Sequence, residues 1–538
     1  MQIYRHRFWR PVERQAHHPD VAQANVLRSL VAANRETTFG REHGFADITG
    51  PWDFRARVPV QQYEMLRPYI DRQRRTGEAA LTEEAPLFYA QTSGTTGTPK
   101  YIPVTATSLA IHRAEQALFS YLQFRACPEA FSGMAMGIMG AAVEDHLDSG
   151  HAVGSVSGHL YASLPRFLQS RFVVPPAVSS ISDYEVNYQV ILHLALAQPD
   201  ITYMGSPNPS TFVRLLGVLN SRREMLLRAL ATGASDVVAG LEPSLRATVA
   251  QRLKALPERA ARLEQLPELT FANTWPNVKL LTTWTGGSCG IALGALRKTL
   301  PGDARVMELG YQATECRGTI PIEAEDPGGL PPLNHSFFEF VEQTQWDLGR
   351  PDYLTLDQLE RGSLYYVLIT SAAGLYRYFM NDLVEVTGYF HRTPLLRFVQ
   401  KGKGVTSLTG EKLYESQVID AVQGELSQRG IDPTFFILVA DEQRTAYRLL
   451  IEARFDRADA TAVAEGVDRR LGTLNIEYRG KRDSGRLATL VVNWLRPGAA
   501  EAYKAAAVRA GQREGQLKPP VLQYRKDLLM HFDEYIVP

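Results

Sequence analysis

Residues 89–104 constrain this chain most, because two short apolar runs flank a turn made of small residues. The stretch reads Tyr-Ala-Gln-Thr-Ser-Gly-Thr-Thr-Gly-Thr-Pro-Lys-Tyr-Ile-Pro-Val. The apolar ends predict two strands, and the hydroxyls and glycines between them predict a turn without bulky side chains. Backbone N–H groups and hydroxyls in such a turn can converge on an anion, and Lys100 adds a positive charge. The stretch therefore indicates a phosphate-binding loop.

This loop differs from the Walker phosphate loop, which ends in Gly-Lys-Ser/Thr. Pro99 stands at the position of that glycine, and Tyr101 stands at the position of the Ser/Thr. An ordinary hairpin turn is the alternative interpretation, since Gly, Ser and Thr are common turn residues. The order Thr-Ser-Gly-Thr-Thr-Gly-x-Pro-Lys is more specific than that composition and favours a nucleotide site.

Charge and cysteine content exclude several classes of function. Lys+Arg and Asp+Glu are both 58, so no net field attracts nucleic acid or an anionic membrane, and we expect neither as a partner. Three cysteines are too few for a disulfide framework or a zinc quartet. Residues 1–14 lack the apolar core of a secretory signal, and no apolar run approaches the ~20 residues of a membrane span. We therefore expect a cytoplasmic protein.

The pattern of elements predicts an α/β fold, because strand-length apolar runs alternate with helical patterns. Helical spacing extends over residues 21–44 and 105–125, and residues 211–266 predict two or three helices. After the polar, glycine-rich run 400–404, a predicted hinge, the pattern becomes that of a small α+β unit. Its predicted elements are helices at 414–429, 457–471 and 499–511 and strands at 434–440, 446–453 and 487–494. We predict a large domain over residues 1–399 and a small one over 400–538.

Three further segments contain residues suited to nucleotide chemistry. Thr314 and Glu315, predicted to end a strand, offer a hydroxyl to phosphate and a carboxylate to a hard cation such as Mg²⁺. Asp382, predicted to close an apolar stretch, can accept from both ribose hydroxyls. Lys518 precedes two prolines, so its loop has limited freedom. Each has an ordinary alternative: a surface turn, a turn-capping aspartate and an exposed lysine.

The order of these motifs resembles that of the adenylate-forming superfamily, which includes acyl-CoA ligases and luciferase-like enzymes. Within it, the chain is most similar to the acyl acid–amido synthetases, which in plants conjugate auxin and jasmonate to amino acids. The similarity extends over nearly the whole length and rests, besides the loop, on residues 34–40, 58–60, 68–72, 338–340, 374–378, 388–389 and 397–399.

The resemblance implies a large N-terminal adenylate-forming domain of β-sheets flanked by helices, joined by a hinge to a mobile C-terminal domain. It implies ATP and Mg²⁺ as cofactors, and a small carboxylic acid and an amino acid as substrates. The acid is adenylated to acyl-AMP, and the acyl group then passes to the amine, with release of AMP and pyrophosphate. The residues implied at the phosphates are Ser93, Gly94, Thr95, Thr96, Gly97 and Lys100. At the nucleotide the resemblance implies Gly310, Tyr311 and Thr314, with Asp382 at the ribose. It implies Glu315 in catalysis at the metal. It also implies Lys401 beside the hinge and Lys518 as the catalytic lysine of the small domain.

Several positions depart from the plant pattern. Phe379 and Asn381 stand where plant enzymes usually have Arg and Gly, although Asn tolerates a left-handed backbone. The motif Tyr-Gln-Ala-Thr-Glu replaces Tyr-Ala-Ser-Ser-Glu, and Pro-Pro follows Lys518 where Pro-Arg is common. These departures indicate a divergent member of bacterial type.

Two other functions compete with the amido synthetase. An acyl-CoA ligase shares the first step and the loop but uses a thiol acceptor, while the N-terminal region and residues 338–340 favour the amido synthetase. A non-catalytic nucleotide sensor or scaffold would need no intact Lys100, Glu315, Asp382 or Lys518, yet all four are present. We expect a monomer or weak oligomer, and the sequence identifies neither the acid nor the amine.

Overall fold

The structure is a computed structural model that describes residues 1–92, 100–286, 289–402, 404–409, 411–453, 459–483, 485–510, 512 and 517–537. The chain divides into two compact units. Unit 1 comprises residues 1–207, 211–284 and 299–398, and unit 2 comprises residues 208–210, 285–298 and 399–538.

The strands in the described part of the chain are numbered in chain order: β1 (Phe88–Thr92), β2 (Lys100–Val104), β3 (Met134–Gly137), β4 (Asp145–His146), β5 (Ala152–Gly154), β6 (Ile201–Gly205), β7 (Leu280–Thr283), β8 (Arg305–Glu308), β9 (Ile320–Pro321), β10 (Gly329–Leu330), β11 (Phe337–Glu342), β12 (Leu364–Ser371), β13 (Leu375–Phe390), β14 (Thr393–Lys401), β15 (Val405–Thr406), β16 (Leu413–Tyr414), β17 (Pro433–Asp441), β18 (Ala446–Ala453), β19 (Val491–Trp494) and β20 (Leu522–Tyr524).

The α-helices are numbered in the same way: α1 (Gln2–Tyr4), α2 (Arg10–Gln15), α3 (Pro19–Ala33), α4 (Thr38–Glu42), α5 (Pro51–Arg57), α6 (Tyr63–Thr76), α7 (Ala106–Ala126), α8 (Val156–Ala162), α9 (Arg166–Gln169), α10 (Tyr184–Leu196), α11 (Ser210–Ser221), α12 (Arg223–Thr232), α13 (Asp236–Ala239), α14 (Pro243–Ala250), α15 (Pro257–Glu264), α16 (Phe271–Thr274), α17 (Cys289–Arg297), α18 (Gln343–Asp347), α19 (Glu415–Gln428), α20 (Ala460–Leu474), α21 (Ile476–Asp483) and α22 (Ala499–Arg509). No helix of these described residues is long and apolar enough to cross a membrane.

The two strands predicted around the phosphate loop are confirmed. β1 and β2 pair antiparallel with Phe88 opposite Val104, and β1 also pairs in parallel with β5. The sheet order is β2-β1-β5-β4. Helix α7 follows at once, with Thr105 and Ser108 forming a capping box that satisfies N–H groups of its first turn. The predicted helix 105–125 thus lies one residue further along.

A four-stranded parallel sheet of order β3-β6-β7-β8 confirms the predicted α/β character. Thr283 lies opposite Glu308, so β7 and β8 end side by side. The chain then continues from β7 into Trp284-Thr-Gly-Gly-Ser288, whose glycine pair predicts a close approach of backbone to ligand, and from β8 into the motif Tyr-Gln-Ala-Thr-Glu. Gly287 and Ser288 lie outside the described residues. Loops at the carboxyl ends of parallel strands are where α/β proteins bind ligands. Two predicted motifs therefore start at neighbouring strand ends.

The third sheet of unit 1 has the order β11-β12-β13-β14-β10-β9. β11, β12 and β13 pair antiparallel, with register shifts between β12 and β13. Aromatic side chains of this sheet, including Phe337, Phe340 and Tyr376, are buried with apolar residues of α3 in one core. Apolar runs at 364–370, 376–378 and 383–386 predict three short strands, but the structure has β12 and one long strand, β13.

In unit 2, a sheet of order β19-β18-β17-β20 is covered by α19 and α20, whose apolar residues share a core with the strands. The helices predicted at 414–429 and 499–511 and the strands at 434–440 and 446–453 are confirmed within two residues. The strand predicted at 487–494 is shorter, and the helix predicted at 457–471 begins at Ala460. Helix α17 contacts β17, and Lys298 beyond it pairs with Asp432.

Two helical predictions were wrong. The helix predicted over 21–44 ends at Ala33, because the chain turns there and restarts as α4 with Thr37 as its N-cap. Residues 210–264, described throughout, form five helices rather than two or three. Gly233 adopts φ +73 at the end of α12, and prolines begin α14 and α15, so three of the four breaks have a local cause.

Candidate functional site

The central contact of the candidate site joins Tyr311 to Asp382. The Tyr311 hydroxyl donates a hydrogen bond of 2.7 Å to Asp382 Oδ2, and both side chains are buried. Burial, the Asp382 charge and the Glu315 charge raise the pKa of Tyr311 well above its ordinary value. The phenol therefore stays protonated and remains a donor to the carboxylate. Two residues of the predicted nucleotide site are thus brought together from distant parts of the sequence.

Glycines decide where Tyr311 lies. Gly310 adopts φ +94, and a Cβ there would lie 2.4 Å from the Thr319 carbonyl oxygen. The Tyr311 N–H then donates to Thr319 Oγ1 at 2.9 Å, and the Gly318 N–H donates to the Tyr311 carbonyl at 2.8 Å. A Cβ on Gly318 would lie 2.1 Å from the tyrosine ring. The ring lies directly over backbone that only glycine allows.

The sequence predicted that Thr314 and Glu315 end a strand, and this prediction was wrong. β8 ends at Glu308, and the pair lies in a turn closed by the bridge between Gln312 and Arg317. The left-handed backbone of Gly310 ends the extended run early, which explains the difference. Glu315 is half-buried in this turn. Burial and, after it, the Glu315 charge raise the pKa of Tyr378 and of Cys316. The Glu315 charge therefore affects the pKa of the same side chains as the Asp382 charge does.

Asp382 likewise does not close an apolar stretch, because it lies inside β13 and is 2% exposed. It is therefore not a turn-capping aspartate. Asn381 before it adopts φ +53, which confirms that asparagine keeps the left-handed backbone where plant enzymes have glycine. Phe379 stacks on Trp346 with ring centroids 4.3 Å apart, so an aromatic contact occupies the position of the missing arginine.

Lys100 is the first residue of β2, and its Nζ lies 5.5 Å from the centre of the Tyr63 ring. The Tyr63 hydroxyl accepts the N–H of Tyr101 at 2.8 Å, which attaches the strand to helix α6. The other predicted phosphate-loop residues, Ser93, Gly94, Thr95, Thr96 and Gly97, lie outside the described residues.

The remaining two predicted lysines belong to unit 2. Lys401 is the last residue of β14, so this strand extends into the predicted hinge. Lys518 lies in irregular structure four residues before β20. The Asn208 side-chain amide, also of unit 2, donates to the carbonyl of the preceding Leu517 at 2.5 Å.

The residues present fit a bound Mg²⁺ ion. The described residues contain no group of three His, Cys, Asp or Glu side chains able to hold a metal. Mg²⁺, however, is commonly held by one or two carboxylates together with substrate phosphates and water. Half-buried Glu315, beside a tyrosine whose pKa its charge raises, is a carboxylate of that kind.

Sequence reasoning missed a buried carboxylate on α7. Glu115 is 2% exposed; its Oε1 lies 3.2 Å from His335 Nδ1 and its Oε2 3.3 Å from His112 Nδ1. Burial alone would raise the pKa of Glu115, but hydrogen bonds and charge from the two histidines lower it to about 2. The spacing of His112 and Glu115 on one helix face was the available signal.

This depressed pKa predicts acid sensitivity. At pH values above about 4.3, the ordinary carboxyl pKa, the pairing of the ionised Glu115 stabilises the fold. This contribution is lost as the pH falls through about 2, the lowered pKa of Glu115. Two pKa units correspond to about 3 kcal/mol. Between pH 5 and pH 2, the free energy of unfolding should therefore fall by about 3 kcal/mol more in the wild type than in Glu115→Gln, measured by denaturant titration. Glu224→Gln, at an exposed pair, should behave as wild type, and equal slopes in all three proteins would contradict the assignment.

A second missed feature is a buried ion-pair group that joins β11, β13 and helix α5. Glu339 is 1% exposed and accepts from Arg55 Nε at 2.9 Å and from Arg377 Nε at 3.0 Å. Arg377 also donates to the Val58 carbonyl and lies over the Tyr353 ring. It adopts φ +43, and it lies five residues before Asp382 on the same strand.

The comparisons with known proteins agree with this architecture. The sequence matches the GH3 family N-terminal domain over residues 9–304, the GH3 family central domain over residues 330–401, and the GH3 family C-terminal domain over residues 416–527. A probable indole-3-acetic acid-amido synthetase of Oryza sativa subsp. japonica is 24% identical, over 93% of this chain and 88% of that protein. A 4-substituted benzoates-glutamate ligase of Arabidopsis thaliana is also 24% identical, over 93% and 92%.

Solved structures show the same fold. A GH3.15 acyl acid amido synthetase superposes with a TM-score of 0.86 at 20% identity, over 98% of this chain and 96% of that chain. A 2-hydroxyisobutyryl-CoA ligase superposes with a TM-score of 0.58 at 12% identity, over 96% and 92%. The predicted adenylate-forming fold of mixed sheets and helices is confirmed. Because the N-terminal domain match alone exceeds half of its 538 residues, this chain belongs to the GH3 family.

Proposed function

We propose that this chain is an ATP-dependent acyl acid–amido synthetase that joins a small carboxylic acid to the amine of an amino acid. The observation that supports this most is the buried pair of Tyr311 and Asp382, beside the charge of Glu315. Such a carboxylate is suited to accepting hydrogen bonds from ribose hydroxyls. Two relatives, by name a probable indole-3-acetic acid-amido synthetase and a 4-substituted benzoates-glutamate ligase, point to the same chemistry.

A carboxylate needs activation because its oxygen is a poor leaving group. In the proposed first step, an oxygen of the acid attacks the α-phosphorus of ATP, and the bond to the bridging oxygen breaks. Pyrophosphate leaves with that electron pair, and acyl-AMP remains. In the second step, a neutral amine attacks the acyl carbon, AMP leaves, and the amine loses a proton.

The first step builds negative charge on the α-phosphoryl group. We assign Lys518 to that charge, and Lys100 with residues 93–97 to the phosphates. Asp382 would hold the ribose through its carboxylate, kept in place by the Tyr311 hydroxyl. When bound, Mg²⁺ supplies charge neutralisation at the phosphates, and Glu315 is the carboxylate that would hold it.

The two steps require different surroundings of the acyl carbon, first ATP and then an amine. We propose that residues 400–538 form a mobile domain that rotates between the steps about Gly402 and Gly404, with Lys401 beside the hinge near the nucleotide. Glycine pairs are suited to absorbing such a backbone change.

A product screen tests the proposal. The purified protein is incubated with ATP, Mg²⁺, one of a panel of aryl and indole acids, and either an amino acid panel or coenzyme A, and products are identified by mass. We expect an amide together with AMP and pyrophosphate, and no product without ATP. A thioester with coenzyme A and no amide would favour the acyl-CoA ligase. Absence of acid-dependent pyrophosphate exchange with every acid would favour a non-catalytic role.

A further inference from the structure

Within unit 2, one residue contacts both the predicted hinge, through its backbone N–H, and the segment that contains Lys518, through its carboxylate. Glu415 is the first residue of helix α19. The residues that Glu415 contacts lie in two segments: residues 400–402 with Gly404, here called the hinge turn, and residues 517–521, here called the lysine segment. The connection to the lysine segment does not follow from the sequence, because that segment lies more than one hundred positions away from Glu415.

Glu415 holds the C-terminal end of the lysine segment. Its Oε1 accepts the backbone N–H of Val521 at 2.8 Å. The Val521 carbonyl in turn accepts the N–H of Leu438, on β17, at 2.8 Å. Val521 is 1% exposed, so both of its backbone polar groups are satisfied in a buried position. The segment is thereby fixed at the residue where it enters β20.

The remainder of the lysine segment has little freedom. Pro519 and Pro520 have their φ angles limited by their rings, so Lys518 is joined to Val521 by a stiff two-residue spacer. On the other side, the Leu517 carbonyl accepts from the Asn208 amide at 2.5 Å. Lys518 therefore lies between two anchored residues, and loss of either anchor changes where its side chain can point.

The same glutamate is attached to the hinge turn. Its backbone N–H donates to the Gly404 carbonyl at 2.8 Å, and the Ser416 N–H donates to Gln400 Oε1 at 2.9 Å. A Cβ at Gly404 would lie 3.0 Å from Glu415 Oε2. Glycine at 404 thus leaves room for the carboxylate as well as freedom for the turn.

Electrostatics agree with this proximity. Burial raises the pKa of Glu415, and the charge of Lys518 lowers it, so the lysine lies close enough to act on the carboxylate. Either protonation state keeps a carbonyl-type oxygen that can accept from Val521. The hydrogen bond, rather than the charge, is therefore the contact that fixes the backbone.

We propose that Glu415 is a positioning residue for adenylation: through the Val521 N–H it holds the lysine segment in a fixed relation to the hinge turn, so that both move as one body. This inference rests on the proposed function, in which Lys518 acts on the α-phosphoryl group. It assigns Glu415 no contact with the reacting atoms.

The test compares two replacements in two half-reactions. Glu415→Ala removes the acceptor, whereas Glu415→Gln keeps an oxygen at the same place. We expect Glu415→Ala to lower kcat of acid-dependent ATP–pyrophosphate exchange roughly 10- to 100-fold, since misplacement by about 1 Å can cost that much. Amide formation from supplied acyl-AMP should change less than roughly threefold, and Glu415→Gln should stay within roughly threefold of wild type in both assays.

A double mutant separates positioning from general damage. If Glu415 acts through Lys518, adding Glu415→Ala to Lys518→Ala should cause no further loss of exchange, whereas general damage should cost a similar factor in both backgrounds. Glu425→Gln is the matched control and should leave the ratio of the two half-reactions unchanged. Glu425 lies on α19, as Glu415 does, and pairs with Arg429, just after that helix, and with Arg470 of α20.

Two outcomes would overturn the inference: equal losses in Glu415→Gln and Glu415→Ala, or losses that multiply in the double mutant. A Lys518→Ala protein with normal exchange would instead contradict the proposed role of the lysine. The two failures are therefore distinguishable from the same set of proteins.

Discussion

Lys518→Ala should lower acid-dependent ATP–pyrophosphate exchange roughly 100- to 1000-fold, the loss typical when one donor to a developing negative charge is removed. The physical reason is that the α-phosphorus becomes pentavalent, with extra negative charge on its oxygens, only while acyl-AMP forms. In amide formation from supplied acyl-AMP the α-phosphorus keeps its four oxygen substituents, and charge develops at the acyl carbonyl oxygen and on AMP as it leaves, so this step should fall less than roughly tenfold. The measurement is isotope exchange between pyrophosphate and ATP, beside amide product quantified by mass.

The matched control is Lys526→Ala in the same unit. Lys526 is exposed and pairs with Glu442 at 2.7 Å, so its loss should leave both half-reactions within about twofold of wild type. The affinity of Lys518→Ala for ATP, measured by calorimetry, shows whether the variant has lost ATP binding or only the rate of the first step. Equal losses in exchange and in amide formation would contradict the assignment of Lys518 to the first step.

Glu339→Ala should lower the free energy of unfolding by about 3–5 kcal/mol, the cost of breaking a buried ion pair and leaving the partner charged. Here two guanidinium groups, those of Arg55 and Arg377, would lose their carboxylate. Arg377 would keep its hydrogen bond to the Val58 carbonyl but would have no anionic partner left in this ion-pair group. The measurement is denaturant-induced unfolding near pH 7.

Glu385→Ala is the control for this prediction, because Glu385 and Arg397 form a partly exposed pair near the other end of β13. Exposed pairs contribute at most about 1 kcal/mol, so the change should be correspondingly small. A loss of less than about 1 kcal/mol in Glu339→Ala would show that the buried arginines reach solvent or other partners. We also expect weaker ATP binding in Glu339→Ala, since Arg377 and Asp382 share a strand.

Local patterns were sufficient for much of the fold. Helix α7, helix α19 and strand β18 were predicted within one or two residues, and the two strands flanking the phosphate loop were predicted without bounds. Each depends on apolar residues repeating with a period of two or near 3.6, which neighbouring positions alone define. Between α12 and α15 the helices are separated at single glycines or prolines, and there the sequence predicted too few helices.

The chemistry around Asp382 was predicted in type but not in placement. The sequence indicated an acidic residue for the ribose, yet suggested that it closes an apolar stretch. In the structure, Asp382 lies inside β13 and is paired with a tyrosine 71 positions earlier. A buried carboxylate is tolerated there because a donor reaches it, and no local pattern reveals a donor at that separation.

By itself, the sequence determined which elements form, which residue types are available for phosphate, ribose and metal, and the family resemblance, because propensity, spacing and motif order belong to the chain. Tertiary structure alone decided which polar groups share the interior. Glu115 lies beside His335 across 220 positions, and Glu339 lies between two arginines from different elements. The physical reason is that a buried charge must find its partner in space, and folding, rather than proximity along the chain, supplies that partner.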